Sequence, residues 1–235
     1  MITNINKSVV ITISDNNNFI KKIISMEYIK YDFFDKRFID FVVRENYKYH
    51  HFSCDHDIMK TEINEIHNEE QSYEGKKTFV FTDDKGNING TIRVLKWNYK
   101  DILPIQKIFK INPVDLMLDD VYGVYHIGRF AIKKEGNHSI ITFKTLMMLA
   151  INEVLKEKKS FVLAECDTKL LKLLNRLGIE TIKLSEAVSY LGSETIPVLL
   201  LQEGLKKFYN NNIKLLNKLH YSVVLEDNIN HYTIV

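Results

Sequence analysis

The stretch VYHIGRFAI at 124–132, followed by KKEGNHS at 133–139, decides how the rest of this chain is read. The first segment is rich in β-branched and aromatic residues and has the length of a strand. The second is a polar loop. Beyond it, Phe143, Met147, Ala150, Ile151 and Val154 recur at helical spacing, which predicts an amphipathic helix over 140–157. Residues 160–166 are almost continuously apolar, as in a strand covered on both faces. Asp167 then stands at the N-cap position of a helix at 168–177, and Gly178 supplies the residue that ends it. Strand, helix, strand, helix in this order predicts a parallel pair, 124–132 beside 160–166, joined by a right-handed crossover.

Upstream, residues 77–83 alternate with Phe79 and Phe81 on one face. Asp84-Lys85-Gly86-Asn87 is a turn signal, and 88–97 alternates again, so a β-hairpin is expected. Residues 99–120, with Pro104 and Pro113, read as an irregular excursion, either functional or decorative. Nearer the N-terminus a short strand is expected at 9–13. A helix from 18 to 30 follows, carrying Phe19, Ile20, Ile23 and Ile24 and capped by Asp15 or Asn16. Residues 31–43 read as a second helix with Phe34, Phe38, Phe41 and Val42 on one side, and 60–71 as a weak exposed one. Downstream, strands are expected at 179–184 and 195–201, joined by a loop with Tyr190 and Gly192. A helix at 203–219 and a strand near 221–225 end the chain. With no repeat, low-complexity tract or clear linker, residues 1–235 read as one α/β domain. Its parts are a helical N-terminal part (1–76), a core (77–202) and a C-terminal helix and strand (203–235).

Composition narrows the function by exclusion. The 32 Lys/Arg are scattered among 30 Asp/Glu, so no basic stripe points to nucleic acid. No segment has the ~20 apolar residues of a membrane helix. Cys54 and Cys166 are too far apart in sequence to form a metal-ligand pair. Together with an N-terminus that lacks an apolar export signal, they point to a reducing, cytoplasmic setting.

Three segments carry a family resemblance. Gly90-Thr91-Ile92-Arg93 is similar to a G-x-x-R strand, and Ile127-Gly128-Arg129-Phe130-Ala131-Ile132 to an (L/I)-(S/G)-R-(F/L)-A-(V/I) strand. Leu173-Leu174-Asn175-Arg176-Leu177-Gly178 is similar to an R-x-G helix end. Tyr190-Leu191-Gly192 and Pro197 add to the likeness. Together, over roughly 77–202, these resemble the GNAT acyltransferase fold, in its branch of acyl-homoserine-lactone synthases and long-chain N-acyl amino acid synthases. The resemblance implies a mixed central sheet with a splayed parallel strand pair flanked by helices. It also implies transfer of an acyl group, a fatty-acyl chain, from a thioester to the amine of an amino acid or similar small acceptor. No tightly bound cofactor or metal is implied; the donor is acyl carrier protein or acyl-CoA. An acetyl-CoA-dependent N-acetyltransferase and a non-catalytic binding module are the alternatives. Two departures stand out. The branch has Glu three positions before the strand's Arg, where this chain has His126, and the phosphate loop of the wider family has several glycines where 133–139 has one. A tight pyrophosphate cradle needs close backbone approach. The sparse loop therefore favours the carrier-protein arm, with its single phosphodiester.

By this resemblance the donor lies along the main chain of Phe130, Ala131 and Ile132, and its phosphate against Lys133, Lys134, Gly136, Asn137, His138 and Ser139. Transfer needs a neutral amine, and so a base. His126 fits by position and by imidazole chemistry, or else it is a packed, hydrogen-bonded strand residue. Glu165, at the end of the central strand, is the other candidate base, or a group that binds the acceptor, or a paired carboxylate. Tyr190 is a candidate proton donor to the leaving thiolate, or a packing aromatic. Arg93 and Arg129 either bind a substrate carboxylate or pair with acids. Arg129 would face away from His126 in a regular strand, and Asp55 or Asp57 is its expected partner. Phe143, Met147 and Met148 line an acyl tunnel or simply fill the core. The cluster His50-His51-Phe52-Ser53-Cys54-Asp55-His56-Asp57 has ligand-type residues but no second ligand pair, so it reads as a polar loop. Cys166, inside an apolar strand, reads as an inert thiol.

Overall fold

The computed structural model describes residues 9–14, 23–27, 32–51, 53–82, 87–116, 123–133, 139–216, 220–225 and 231–233. Its strands are β1 (Val9–Ser14), β2 (Ile23–Glu27), β3 (Lys76–Thr82), β4 (Ile88–Lys96), β5 (Gly123–Ile132) and β6 (Ser160–Asp167). They continue with β7 (Thr181–Lys183), β8 (Val188–Tyr190), β9 (Ser193–Leu200), β10 (His220–Leu225) and β11 (His231–Thr233). The helices are α1 (Asp32–His50), α2 (His56–Ser72), α3 (Pro104–Phe109), α4 (Ser139–Val154), α5 (Thr168–Arg176) and α6 (Gln202–Leu216). One mixed sheet runs in the order β11-β10-β1-β2-β3-β4-β5-β6-β9-β7, with β8 paired to β9.

The parallel pair read from the sequence is β5–β6, in register from Gly123↔Ser160 to Ile127↔Ala164. Pairing stops there, and β6 continues against β9 alone, with Glu165 opposite Pro197. The β3–β4 hairpin also forms, and α4 crosses behind the sheet. On that face Ile92, Val94, Tyr125, Ile127, Val162 and Ala164 pack against Phe143, Leu146, Met147 and Ile151 of α4 and Leu205 and Phe208 of α6. The six strand residues alternate with the rest of their strands, so the opposite face receives Leu95, Arg93, His126, Leu163 and Glu165. That second face is covered by α1 and α2, whose Phe38, Ile39, Val42, Ile63 and Ile66 form a smaller cluster.

Four expectations are corrected. The helix expected over 18–30 is a strand at 23–27, hydrogen-bonded between β1 and β3. A short run of paired isoleucines fits either period, and the open edge of β3 decides for the strand because its backbone groups need partners. The weak exposed helix at 60–71 is the longer α2, N-capped by Asp55, which accepts from Asp57 N at 2.8 Å, and it buries Ile63, Ile66 and Glu70. The buried stripe includes a glutamate, which is why it reads as polar in sequence. The excursion at 99–120 contains α3 and a 3-10 turn at Pro113–Leu116, and it inserts Leu103 and Ile105 beside Trp97 and Leu163. Finally, 188–190 is not loop but strand β8. It turns into β9 through Leu191 and Gly192 with φ of 47° and 73°, a two-residue turn with both φ positive. The expected cap at Asp15 or Asn16 and most of the turn at 84–87 lie outside the described residues.

Glu70 is the buried anchor of α2. Arg129 Nε donates to its Oε1 at 2.7 Å, Arg93 Nε lies 3.3 Å from the same oxygen, and Lys76 Nζ donates to its carbonyl. Burial alone would push the Glu70 carboxyl up, but Arg93, Arg129 and Lys76 outweigh it and hold it below the usual carboxylate range. Glu69 is lowered in the same way by Arg129 and Lys107 against its own burial. Both acids therefore ionise more readily folded than unfolded. Their contribution is complete above the unfolded carboxylate value of about 4.3 and is lost as pH falls through the lower folded values. Urea denaturation should show stability falling below about pH 4 in the wild type, and more shallowly in Glu70→Gln. At neutral pH Glu70→Ala should cost about 3–5 kcal/mol, because it leaves the buried Arg93 guanidinium without its acid and takes one of two acids from Arg129.

Candidate active site

The splay and a bulge in β5 make the site together. Thr91 pairs with Ala131 and Arg93 with Gly128, so Arg129 and Phe130 share the position opposite Ile92. Arg129 adopts φ 52° at this bulge, and its carbonyl accepts from Thr91 Oγ1 at 2.8 Å. A bulge bends its strand. Beyond Ile127 the bent β5 leaves β6, and a cavity of about 350 Å³ opens between them. Its walls are Ile127–Ile132 of β5, Ala164–Asp167 of β6, Phe143 and Met147 of α4, and Leu170, Leu173 and Leu174 of α5. Val42, Asn46 and Tyr49 of α1 and the Tyr190–Leu191 turn complete it. The lining is mostly apolar, and Met148 is buried elsewhere in the core.

Glu165 places its carboxylate in this wall, and His126 stands directly behind it. His126 Nε2 lies 2.9 Å from Glu165 Oε1 and 2.8 Å from Oε2, with the His126 side chain 1% exposed and that of Glu165 11%. The two residues the sequence offers as alternative bases are thus one hydrogen-bonded pair, and Glu165 is the member that borders the cavity. Against an ionised carboxylate, which only accepts, Nε2 is the donor. Nothing in a single sequence joins residues 39 positions apart. The parallel register, Ile127↔Ala164, is what brings them together.

Arg129 lines the cavity, yet Nε donates to Glu70 and NH2 donates to Glu69 Oε1 at 2.8 Å. Its partners are these two residues of α2, not Asp55 or Asp57. The bulge also overturns the expected opposition to His126. Arg129 reaches the same Glu70 oxygen as Arg93, on the His126 side of the sheet. Arg93 is wholly buried, stacks its guanidinium 5.3 Å from the Tyr73 ring and does not border the cavity. It therefore has no route to a substrate carboxylate from that side. Glu69, Glu70 and Tyr73 complete this polar network and were not singled out from the sequence, since acids on a polar helix carry no signal of burial.

Tyr190 borders the cavity beside Arg129. Burial pushes its phenol up, and the Arg129 guanidinium only partly offsets this, so the hydroxyl stays protonated at neutral pH. Burial likewise raises the Cys166 thiol, with Glu165 and Asp167 adding to the effect, which leaves it a poor nucleophile. Phe130, Ala131, Ile132 and Ser139 line the cavity. Lys133 sits at its end, where its N–H donates to Asn89 O at 2.9 Å. Lys134, Gly136, Asn137 and His138 lie outside the described residues. Among the described residues no three metal-ligating side chains converge. His50 instead faces Asp167 at 3.3 Å, and Tyr49 lies under Lys169.

No protein-family model matches the chain, and no curated protein sequence matches it. Solved structures do. The N-acyl amino acid synthase FeeM from uncultured soil microbes superposes with a TM-score of 0.55, at 13% identity, over 74% of this chain and 94% of its own. An uncharacterized protein from Bacillus halodurans gives 0.53 at 12% identity, over 88% of this chain and 96% of its own. A CoA-dependent acyl-homoserine lactone synthase, MesI, matches more loosely, with a TM-score of 0.43 at 16% identity, over 59% and 71%. Among the described residues no helix is long and apolar enough to cross a membrane. With its splayed parallel pair, its bulged β5 and its crossover helix, the chain has the GNAT-like acyltransferase fold, the fold of the N-acyl amino acid synthase it superposes on.

Proposed function

We propose that the protein is an N-acyltransferase that moves a fatty-acyl group from an acyl carrier protein thioester to the amine of an amino acid or similar small acceptor. The observation that carries this reading is Glu165. A carboxylate held by a buried histidine stands at the strand splay, on the wall of a largely apolar cavity of about 350 Å³. An acetyl group would leave most of that apolar wall unused, so the cavity supports a longer chain.

Glu165 accepts one proton from the acceptor's ammonium and releases it to solvent; the neutral amine attacks the thioester carbonyl, and Glu165 takes the second nitrogen proton as the tetrahedral intermediate collapses to the amide. The C–N bond forms and the C–S bond breaks. Main-chain N–H groups of β5 beyond Ile127, no longer paired with β6, are available to the oxyanion. The protonated phenol of Tyr190 gives its proton to the departing thiolate and regains one from Glu165 through the solvent. Phe143 and Met147 contact the acyl chain. His126 works behind Glu165, out of reach of the substrate.

Purified protein incubated with acyl carrier protein, acyl-CoA and acetyl-CoA donors and pooled amino acids, read by mass spectrometry, tests the reading. A long-chain N-acyl product from the carrier-protein donor is expected, at a rate that falls as salt rises, because carrier proteins are acidic and the donor path ends at Lys133. Glu165→Gln should lower turnover by roughly 10²–10⁴-fold without unfolding the protein, the usual yield of a general base. A variant that keeps wild-type turnover removes Glu165 from the chemistry. Met147→Trp should shorten the preferred chain while sparing short donors. An unchanged chain-length profile moves the acyl group out of this cavity.

A further inference from the structure

Arg93 is a buried cation whose guanidinium is only partly accounted for. It is wholly buried, near Glu70 at 3.3 Å, and Nε, NH1 and NH2 make no hydrogen bond of good geometry among the described residues. His126 is equally buried, and its Nδ1 also lacks a partner. The two meet at Gly128. A Cβ placed on that glycine would lie 3.3 Å from Arg93 NH2 and 3.4 Å from His126 Nδ1, so both nitrogens crowd the same point.

We propose that Arg93 is the positioning residue of the Glu165–His126 pair, holding His126 as a neutral imidazole with its one proton on Nε2. The inference rests on the reading of Glu165 as the base. Nε2 lies 2.8 Å from the carboxylate and is the donor to it when Glu165 is ionised. What remains open is Nδ1, whose protonation would make an imidazolium and tie Glu165 into an ion pair, lowering its basicity. A guanidinium is always charged and only donates. Placed beside Nδ1 in a buried setting, it opposes a second positive charge there and leaves the lone pair facing it.

The other charges around the pair do not reverse this. Glu165 on β6 favours the imidazolium, and so would Glu70 and Glu69 on α2. Glu70, however, is already shared by Arg93, Arg129 and Lys76, and Glu69 by Arg129 and Lys107. Tyr73 stacks under Arg93, and Tyr190 faces Arg129 with its phenol protonated. Arg93 NH2 thus shares the space at Gly128 with Nδ1, and Arg93 does not border the cavity from which a substrate could displace it.

Long-range ¹H–¹⁵N spectra of the ¹⁵N-histidine-labelled full chain decide the point without turnover. His126 is assigned by its loss in His126→Gln. Between pH 6 and 8 the wild type should show a pyrrole-type Nε2 and a pyridine-type Nδ1. An imidazolium or an Nδ1–H form in that range overturns the proposal, whether or not the variants fold. In Arg93→Met, His126 should gain its second proton within this range. The acid limb of kcat/KM should move to higher pH and the rate below it fall at least tenfold, whereas Arg93→Lys should keep the wild-type spectrum. An unmoved His126 signal and an unmoved acid limb in Arg93→Met overturn the assignment. His126→Gln supplies one donor and one acceptor but cannot take a second proton, so it should recover most of the activity lost in His126→Ala. Equal loss in both again refutes it. If the wild type acylates nothing while the spectrum is as expected, the failure is of the proposed activity and not of the role assigned to Arg93.

Discussion

One extra residue in β5 sets the geometry on which the site depends. Because Arg129 and Phe130 share a single partner on β4, the strand bends just past its last contact with β6. The bend does two things at once. It ends the parallel pairing, so the sheet opens into a cavity without a break in the chain. It also turns the Arg129 side chain to the α2 face, where Glu69 and Glu70 receive it. A non-glycine residue at φ 52° is uncommon and held at some cost. The Thr91 hydroxyl on the Arg129 carbonyl and the two glutamates on its guanidinium offset that cost. The bulge and the buried ion network therefore sustain each other.

The two faces of the sheet divide the work. Behind it, Ile92, Val94, Ile127 and Val162 meet α4 in a wholly apolar layer, which fixes the strands rigidly. In front, Arg93, His126, Glu165 and Arg129 alternate into the space under α2 and the β8–β9 turn. Buried charges gain nothing for stability unless paired. Here they chain together, from Lys107 through Glu69, Arg129 and Glu70 to Arg93. The consequence for chemistry is that one carboxylate, Glu165, is left outside that chain. Among the described residues its hydrogen-bond partner is His126, and a largely apolar cavity lies before it.

The strand–helix–strand–helix unit could be read from the sequence because each part obeys a local rule: β-rich run, helical period, apolar run, Asp167 cap. The structure keeps all four, with Asp167 accepting from Lys169 N and Leu170 N. Where the reading failed, the deciding interaction was not local. Strand β2 exists because β1 and β3 flank it, and α2 is buried because Arg93 and Arg129 need its acids. The bulge at Arg129 leaves no mark in VYHIGRFAI, and a regular alternation put that side chain on the wrong face. The candidate residues themselves were nameable one by one. Their pairing was not, since His126 meets Glu165 only through a register that the sequence does not encode locally.

The histidine at 126 also explains a neighbour. Gly128 does not require a positive φ, so backbone freedom is not its reason for being glycine. Its side-chain direction points at His126 Cε1, only 2.9 Å from where a Cβ would sit, with Arg93 NH2 and His126 Nδ1 close behind. An added methyl group would have to push either the imidazole off Glu165 or the guanidinium off Glu70, and both are buried and held. Serine, the other residue expected at this position by resemblance, is larger still. In this chain an imidazole at 126 is therefore compatible with glycine at 128 and not with serine, unless the ring turns away from Glu165. Positions 93, 126, 128 and 165 form one steric and electrostatic unit, and a change at any of them is felt at the carboxylate that faces the cavity.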